Sequence, residues 1–159
     1  MDYIKYIRKD VGHKKIILNA SSVIIVKDDM ILLQKRKDNQ KWGLIGGILE
    51  LNETYEEAAI REAKEETGLD ISLDYFLGIY HNYNMVWVNN DKAHVIGAFY
   101  VSYLNNDLTP RIDEESIELR FFHSDELPPL FAEDHRAAIK AYLDGVKYPL
   151  LKENKGDLR

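Results

Sequence analysis

The chain has 159 residues, no cysteine and a formal net charge of −6, and its length suits one domain over residues 1–159 with a core at about 16–144. The absence of cysteine excludes disulfides, thiolate-bound zinc and a cysteine nucleophile, and the acidic balance disfavours extended nucleic acid as a partner. No apolar run approaches the roughly 18 residues of a membrane span, so we expect a cytoplasmic protein without a membrane partner.

A short helix and two strands are predicted at the start of the chain. Asp2 can cap a helix that carries an apolar stripe, and a strand rich in Ile and Val follows over 16–26. A turn leads into the returning strand over 30–35. The polar segment 36–43 is typical of a turn and leads towards the glycine pair Gly46-Gly47.

The segment from Thr54 to Thr67 predicts a helix. Thr54 and Glu57 have the spacing of a capping box, in which each side chain accepts a hydrogen bond from the backbone N–H of the other residue. Gly68 stands where the end of a helix favours a left-handed backbone conformation. The start and the end of this helix can therefore both be predicted from local sequence.

The remaining chain predicts strands near 75–88 and 93–104, a short strand over 117–122 and a second long helix over 133–144. The C-terminal segment 152–159 is polar, and we expect it to fray. This order of elements predicts the α/β (α+β) class, with a mixed β-sheet packed between helices.

Three acidic side chains share one face of the first long helix. Glu62, Glu65 and Glu66 stand at positions i, i+3 and i+4. Their mutual repulsion weakens the helix, but a divalent cation reverses that effect, because Mg²⁺ prefers oxygen ligands. A helix rich in Glu, Lys and Arg is also typical of a solvated surface with weak ion pairs. The three residues alone leave both interpretations open.

A guanidinium and a glycine pair accompany these carboxylates. Arg61 neighbours Glu65 along the helix, and its planar fork can hold a carboxylate in a defined orientation. Glu53 lies just before the helix and can accept such a bond. Gly46-Gly47 permit a backbone turn that side chains would block, and the turn can aim a carbonyl oxygen at the same cation.

The segment from Gly47 to Leu69 resembles the signature of the Nudix (MutT-like) hydrolase family. Two positions outside the fixed ones differ from the common pattern, namely Ile45 where proline is frequent and Asn52 where glycine is frequent, and neither change removes a ligand. The resemblance covers roughly 16–144 and implies a Nudix-type α/β/α sandwich. All seven fixed positions of the signature are present at their required spacing: Gly47, Glu53, Arg61, Glu62, Glu65, Glu66 and Gly68.

The resemblance implies a pyrophosphohydrolase that depends on Mg²⁺ or Mn²⁺. Family members cleave nucleoside triphosphates or nucleoside diphosphates linked to another moiety, so a small nucleotide-like diphosphate is the expected substrate. A homodimer is a plausible assembly by the same resemblance. Carried over by position, the expected cation ligands are Glu62, Glu65, Glu66 and the Gly47 carbonyl, and the expected orienting pair is Arg61 and Glu53.

Two parts of the chain offer a general base. Glu62 is the candidate within the signature, where it would accept a proton from the attacking water. Some family members take this glutamate from a later loop, and Glu118 is the best-placed candidate for that role here. Glu114 and Glu115 are weaker alternatives, and each of the three can equally be a solvated surface residue.

Contacts to the rest of the substrate are less specific. Arg36, at the end of a predicted strand, can meet a phosphate, and Tyr83 can stack on a base, as can Trp42, Tyr80 and Trp87. Such aromatic residues more often fill a core. In some branches of the family a proline beyond the signature accompanies hydrolysis of ADP-ribose, and a tyrosine accompanies hydrolysis of dinucleoside polyphosphates. Both are absent here, so the sequence does not identify the substrate.

Two other functions compete with hydrolysis. One is a Nudix-fold domain that binds a nucleotide as a sensor, and the other is an acidic helix that serves only as an interaction surface. Degenerate family members usually lose glutamates from the signature, and this chain keeps all of them. The second alternative leaves Gly46-Gly47 and their spacing to Glu53 unexplained.

Overall fold

A mixed seven-stranded sheet with helices on both faces forms the fold in a computed structural model that describes residues 2–105 and 107–152. This arrangement confirms the predicted fold class, whereas most of the tail predicted to fray lies outside the described residues. The elements are α1 (Tyr3–Val11), β1 (Ile16–Lys27), β2 (Met30–Arg36), β3 (Trp42–Gly43), β4 (Ile45–Ile48), α2 (Tyr55–Thr67), β5 (Tyr75–Val86), β6 (Lys92–Tyr103), β7 (Ser116–Phe122) and α3 (Glu133–Leu143).

β1 is the strand around which the sheet is organised. It pairs in parallel with β6 from Ile16 opposite Ala93 to Val26 opposite Tyr103, and a parallel pair requires a long crossover, which here contains α2. It also pairs antiparallel with β4, which sets Ser22 opposite Gly46. β2 bridges β1 to β3 and β7. β4, which contains Gly47 of the signature segment, is thereby held against the central strand of the sheet.

The two faces of β1 contact different helices because side chains alternate along a strand. Ile24 and Val26 belong to the core cluster that includes Ala138 and Ile139 of α3. Val23 and Ile25 belong to the cluster that includes Ala59 and Ala63 of α2. Each fully buried aliphatic side chain stabilises such a core by about 1.5–3 kcal/mol. The sheet is therefore enclosed by α2 on one face and α3 on the other.

α1 packs on the same face of the sheet as α3 and covers the part of that face that α3 does not reach. Its residues Tyr3 and Ile4 pack against a third cluster around Leu18 and Val95. Arg8 fixes the helix by donating from Nη2 to the carbonyl oxygen of Lys92 at 2.9 Å. No helix in the described ranges is long and apolar enough to cross a membrane.

The predicted ends of α2 are confirmed. The Thr54 hydroxyl accepts from Glu57 N–H at 3.2 Å, and Glu57 Oε2 accepts from Thr54 N–H at 2.9 Å. Gly68 ends the helix with a φ of 71°. The short strands β3 and β4 were not predicted, since two residues carry no periodic pattern and two of the four residues in β4 are glycines.

Candidate active site

A cavity of about 1150 Å³ opens between the second half of α2, the sheet face carrying Val95 and Phe99, and the first turn of α3. Its size is slightly above the range of about 300–1,000 Å³ that is typical of pockets for small molecules and cofactors. α1 forms a further wall with Lys5, Arg8 and Lys9. The acidic residues that line it are Asp2, Glu50, Glu62, Glu65, Glu66, Asp91, Asp113, Glu115 and Asp134.

One buried and one partly buried carboxylate, those of Glu66 and Glu62, lie at the α2 end of the cavity. Glu66 is only 4% exposed, and its Oε2 accepts a hydrogen bond from the Gly46 N–H at 3.0 Å. Burial, together with the negative charge of Glu62, raises the pKa of Glu66 well above its usual range. Burial also raises the pKa of Glu62. Glu62 forms an ion pair with Arg61, whereas no cationic side chain in the described part of the chain forms one with Glu66.

Arg61 organises the carboxylates around it. It binds Glu53 with two hydrogen bonds, from Nε to Oε1 at 2.6 Å and from Nη2 to Oε2 at 2.9 Å. Its Nη1 reaches Glu62 Oε1 at 2.8 Å and Glu65 Oε2 at 3.1 Å. Burial raises the pKa of Glu53, but the hydrogen bonds from Arg61 and from the Glu50 N–H, together with the charge of Arg61, lower the pKa overall. The structure thus brings the predicted orienting pair and the signature glutamates together.

The glycine pair allows the signature loop to approach the sheet and α2. Gly46 has a φ of +155°, and a Cβ there would overlap Ser21 and Ser22 of the paired strand. A Cβ on Gly47 would overlap the Glu62 carboxylate. The two glycines therefore lie within β4, where they permit close packing, and the turn predicted for them is wrong.

The donor set suits a hard divalent cation. In residues 2–105 and 107–152, no three His, Asp or Glu side chains are close enough to form a complete cation site. Glu62 and Glu65 bind Arg61, and Glu66 accepts a hydrogen bond from the Gly46 N–H. Mg²⁺ retains waters and needs only one or two protein carboxylates, so these glutamates offer enough oxygen ligands for it.

A second acidic segment reaches the cavity from the loop before β7. Buried Gln34 donates to the Ser116 hydroxyl at 2.7 Å, and that hydroxyl donates to Asp113 Oδ1 at 2.6 Å. This chain of hydrogen bonds holds the loop in which Asp113 and Glu115 line the cavity. Glu118 is not among the lining residues, because it lies within β7, opposite Lys35, where it forms an ion pair with Arg120.

A family model described as the NUDIX domain matches residues 17–142. The chain belongs to the Nudix family. An ADP-ribose pyrophosphatase from Methanocaldococcus jannaschii is 40% identical over 124 residues, which are 76% of this chain and 69% of that protein. A MutT-like protein from Streptomyces ambofaciens is 30% identical over 128 residues, 80% of this chain and 77% of that protein.

Solved structures agree with this assignment. A NUDIX hydrolase from Nitrosomonas europaea has a TM-score of 0.72 at 23% identity, over 88% of this chain and 99% of that one, a likeness that shows the fold alone. A MutT NUDIX hydrolase from Burkholderia pseudomallei has a TM-score of 0.66 at 29% identity, over 79% and 97% of the two chains. The protein is a Nudix hydrolase, an enzyme that acts on phosphoric anhydrides.

The two predicted substrate contacts of this Nudix hydrolase have different surroundings. Arg36 lines the cavity, pairs with Asp38 at 2.8 Å and lies over the Phe131 ring. Tyr83 is not brought to the cavity. It is 55% exposed and stacks on His81, on the sheet face opposite the one that carries the lining residue Asn82.

Several lining residues were missed or left undecided by sequence reasoning. Trp87 lines the cavity, whereas Trp42 and Tyr80 pack against the core, and no local pattern separates the three. The sequence pattern places Asp134 and His135 within a predicted helix and indicates no other role for them. Their position in the first turn of α3, where the helix meets the cavity, requires knowledge of the tertiary fold.

Proposed function

We propose that this Nudix hydrolase uses Mg²⁺ or Mn²⁺ to cleave the diphosphate bond of a nucleoside diphosphate linked to another moiety, or of a nucleoside triphosphate. The observation that carries the proposal is the pair of carboxylates of Glu66, which is buried, and Glu62, which is partly buried, beside the hydrogen-bonded pair of Arg61 and Glu53. Two such carboxylates are costly without a cation, and a bound cation also attracts phosphate.

The relatives support a choice among substrates. The protein from Methanocaldococcus jannaschii is named an ADP-ribose pyrophosphatase and matches most of this chain. The cavity, at about 1150 Å³, has room for both halves of a molecule of that kind. ADP-ribose is therefore the first substrate to be assayed, followed by nucleotide sugars and nucleoside triphosphates.

The roles of the residues follow from their positions. When bound, the cation would neutralise diphosphate charge and make a coordinated water more acidic. Glu62, Glu65, Glu66 and the Gly47 carbonyl would hold it, and Arg61 would keep Glu62 and Glu65 in place. Glu62 or Glu115 would accept the proton of the attacking water, since both line the cavity.

The test is a screen of the purified protein with Mg²⁺ against ADP-ribose, nucleotide sugars and nucleoside triphosphates, with detection of released monophosphates. We expect turnover of at least one class, and loss of turnover in Glu66→Gln. Tight nucleotide binding without turnover in any class would instead favour the sensor function. A homodimer stays a prediction, which sedimentation of the purified protein would test.

A further inference from the structure

One of the two ring nitrogens of His135 is hydrogen-bonded to the backbone of Leu44, between β3 and β4. His135 lies in the first turn of α3, and its Nδ1 accepts a hydrogen bond from the Leu44 N–H at 3.1 Å. A neutral imidazole that accepts at one nitrogen carries its proton on the other. The hydrogen bond from Leu44 therefore fixes the tautomer, with the proton on Nε2.

The surroundings keep this ring neutral. It meets the edges or faces of Phe99 and Phe131, with centroids at 5.8 and 5.0 Å. Burial, and then the positive charges of Arg36 and Arg136, lower the pKa of His135 to about 3. The ring is therefore uncharged at any pH at which the protein is expected to work.

In the described part of the chain, the second nitrogen has no hydrogen-bond partner. Among residues 2–105 and 107–152, Nε2 of His135 donates to no carbonyl or side chain, and it is not one of the polar atoms sealed from solvent. The residue is half-buried and lines the cavity with Phe99, Phe131 and Trp87. A fixed and uncharged N–H thus stands in an aromatic part of the cavity.

We propose that His135 is a specificity-determining residue whose Nε2–H donates a hydrogen bond to an acceptor atom of the bound substrate. The acceptor is a ring nitrogen or carbonyl oxygen of a nucleobase, or a phosphate oxygen. This inference rests on the proposed function. A donor left without an acceptor in a desolvated site penalises the wrong ligand, so the contact discriminates between substrates.

The structural and the substrate-binding roles of His135 can be separated by substitution. In His135→Asn the amide oxygen lies near the former Nδ1 and can still accept from the Leu44 N–H, but nothing replaces Nε2. In His135→Gln the longer side chain can place its amide N–H near the former Nε2. His123→Asn is the matched control, because His123 is exposed and does not line the cavity.

The experiment measures kcat and KM with Mg²⁺ for ADP-ribose and for inorganic tripolyphosphate, and the dissociation constant of the methylene analogue of ADP-ribose, which is not hydrolysed. A melting temperature for each variant checks the fold. For His135→Asn we expect a five- to tenfold rise in KM and in the dissociation constant, with kcat changed less than about twofold. His135→Gln should recover part of the loss.

The two substrates distinguish the two sources of the acceptor. A loss confined to ADP-ribose and its analogue assigns the acceptor to the nucleoside, and a loss shared with tripolyphosphate assigns it to a phosphate. If His135→Asn binds the analogue as His123→Asn does, His135 only supports Leu44 and the inference is wrong. If the wild-type protein neither binds nor cleaves any nucleotide, the proposed function fails and this inference fails with it.

Discussion

Arg61 and Glu53 form a two-point hydrogen-bonded pair across the start of α2, with distances of 2.6 and 2.9 Å. Because the remaining nitrogen of Arg61 reaches Glu62 and Glu65, one guanidinium sets the positions of three carboxylates. Lysine cannot reproduce this geometry, since its ammonium group is a single point of charge.

We therefore expect Arg61→Lys to lower kcat by about 10–100-fold with a smaller change in KM, because residues that orient cation ligands act mainly on the chemical step. Lys64→Ala, on the exposed side of the same helix, is the control and should keep wild-type kinetics. Steady-state kinetics with Mg²⁺ test the pair. Equal kcat values for the two variants would show that Arg61 has no orienting role.

Glu66→Gln should stabilise the protein while removing its activity. Burial and the charge of Glu62 raise the pKa of Glu66, so its ionised form costs stability when no cation is bound. In EDTA the variant should gain about 1 kcal/mol or more, or about 2–4 °C in Tm. The rise in Tm that Mg²⁺ gives the wild type should be much smaller in the variant. A lower Tm for Glu66→Gln in EDTA would contradict this account.

The same carboxylates determine how the stability of the metal-free protein depends on pH. The pKa values of Glu62 and Glu66 are raised by folding, so the folded state binds more protons and its stability falls as the pH rises from the ordinary value through the raised ones. Glu53 has a lowered pKa and acts in the opposite direction, below the ordinary value.

His135 acts in the opposite direction from the two carboxylates between pH 5 and pH 7, because its pKa, lowered to about 3, leaves it neutral in the folded protein. The contribution of Glu66 is therefore measured as a difference: in EDTA, the Tm of Glu66→Gln minus that of the wild type should grow from pH 5 to pH 8. Glu65→Gln should show no such growth, because the Glu65 side chain is 59% exposed. A difference that stays constant over this range would be inconsistent with a raised pKa of Glu66.

Glu115 and Glu118 are the two candidates for a general base outside the signature, and substitution distinguishes between them. Glu115 lines the cavity, whereas Glu118 lies in β7 and forms an ion pair with Arg120. If Glu115 accepts the proton, Glu115→Gln should lower kcat by about 100-fold or more, and Glu118→Gln should leave it unchanged. Wild-type kcat in Glu115→Gln would leave Glu62 as the base.

Gly47→Ala tests the contact between β4 and α2. The added Cβ would overlap the Glu62 carboxylate, which can move at little cost in stability but then leaves its position beside Arg61. We expect kcat to fall about tenfold and stability to change by less than about 1 kcal/mol. Gly145→Ala should do the reverse, since its φ is +78° and a Cβ there meets nothing within 4 Å.

Local patterns made most of this site predictable. The capping box, Gly68 and the spacing of the signature glutamates each depend on residues within one or two helical turns. In the structure all three features belong to α2 and its two ends. Glu118 lies within the predicted strand over 117–122, so its proposed place in a loop conflicts with that strand, whereas Glu115 precedes it. β7 begins at Ser116, which leaves Glu115 in the loop that faces the cavity.

Tertiary contacts account for the rest. Side chains alternate along β5, so Asn82 and Tyr83 point to opposite faces, and only the pairing with β6 shows which face holds the cavity. His135 reads as one more residue of an amphipathic helix. Its contact with Leu44 joins positions 91 residues apart, which no periodicity can reveal.

The parallel pairing of β1 with β6 also bears on how the site is assembled. β1, β4 and α2 are near neighbours along the chain, whereas β6 must first close a loop that contains α2 and β5 before Ile16 meets Ala93. Loop closure costs entropy that is recovered only when the strands pair, so we expect folding slower than that of a helical protein of this length. A chain still being synthesised would expose its acidic α2 face before α3 exists to complete the cavity.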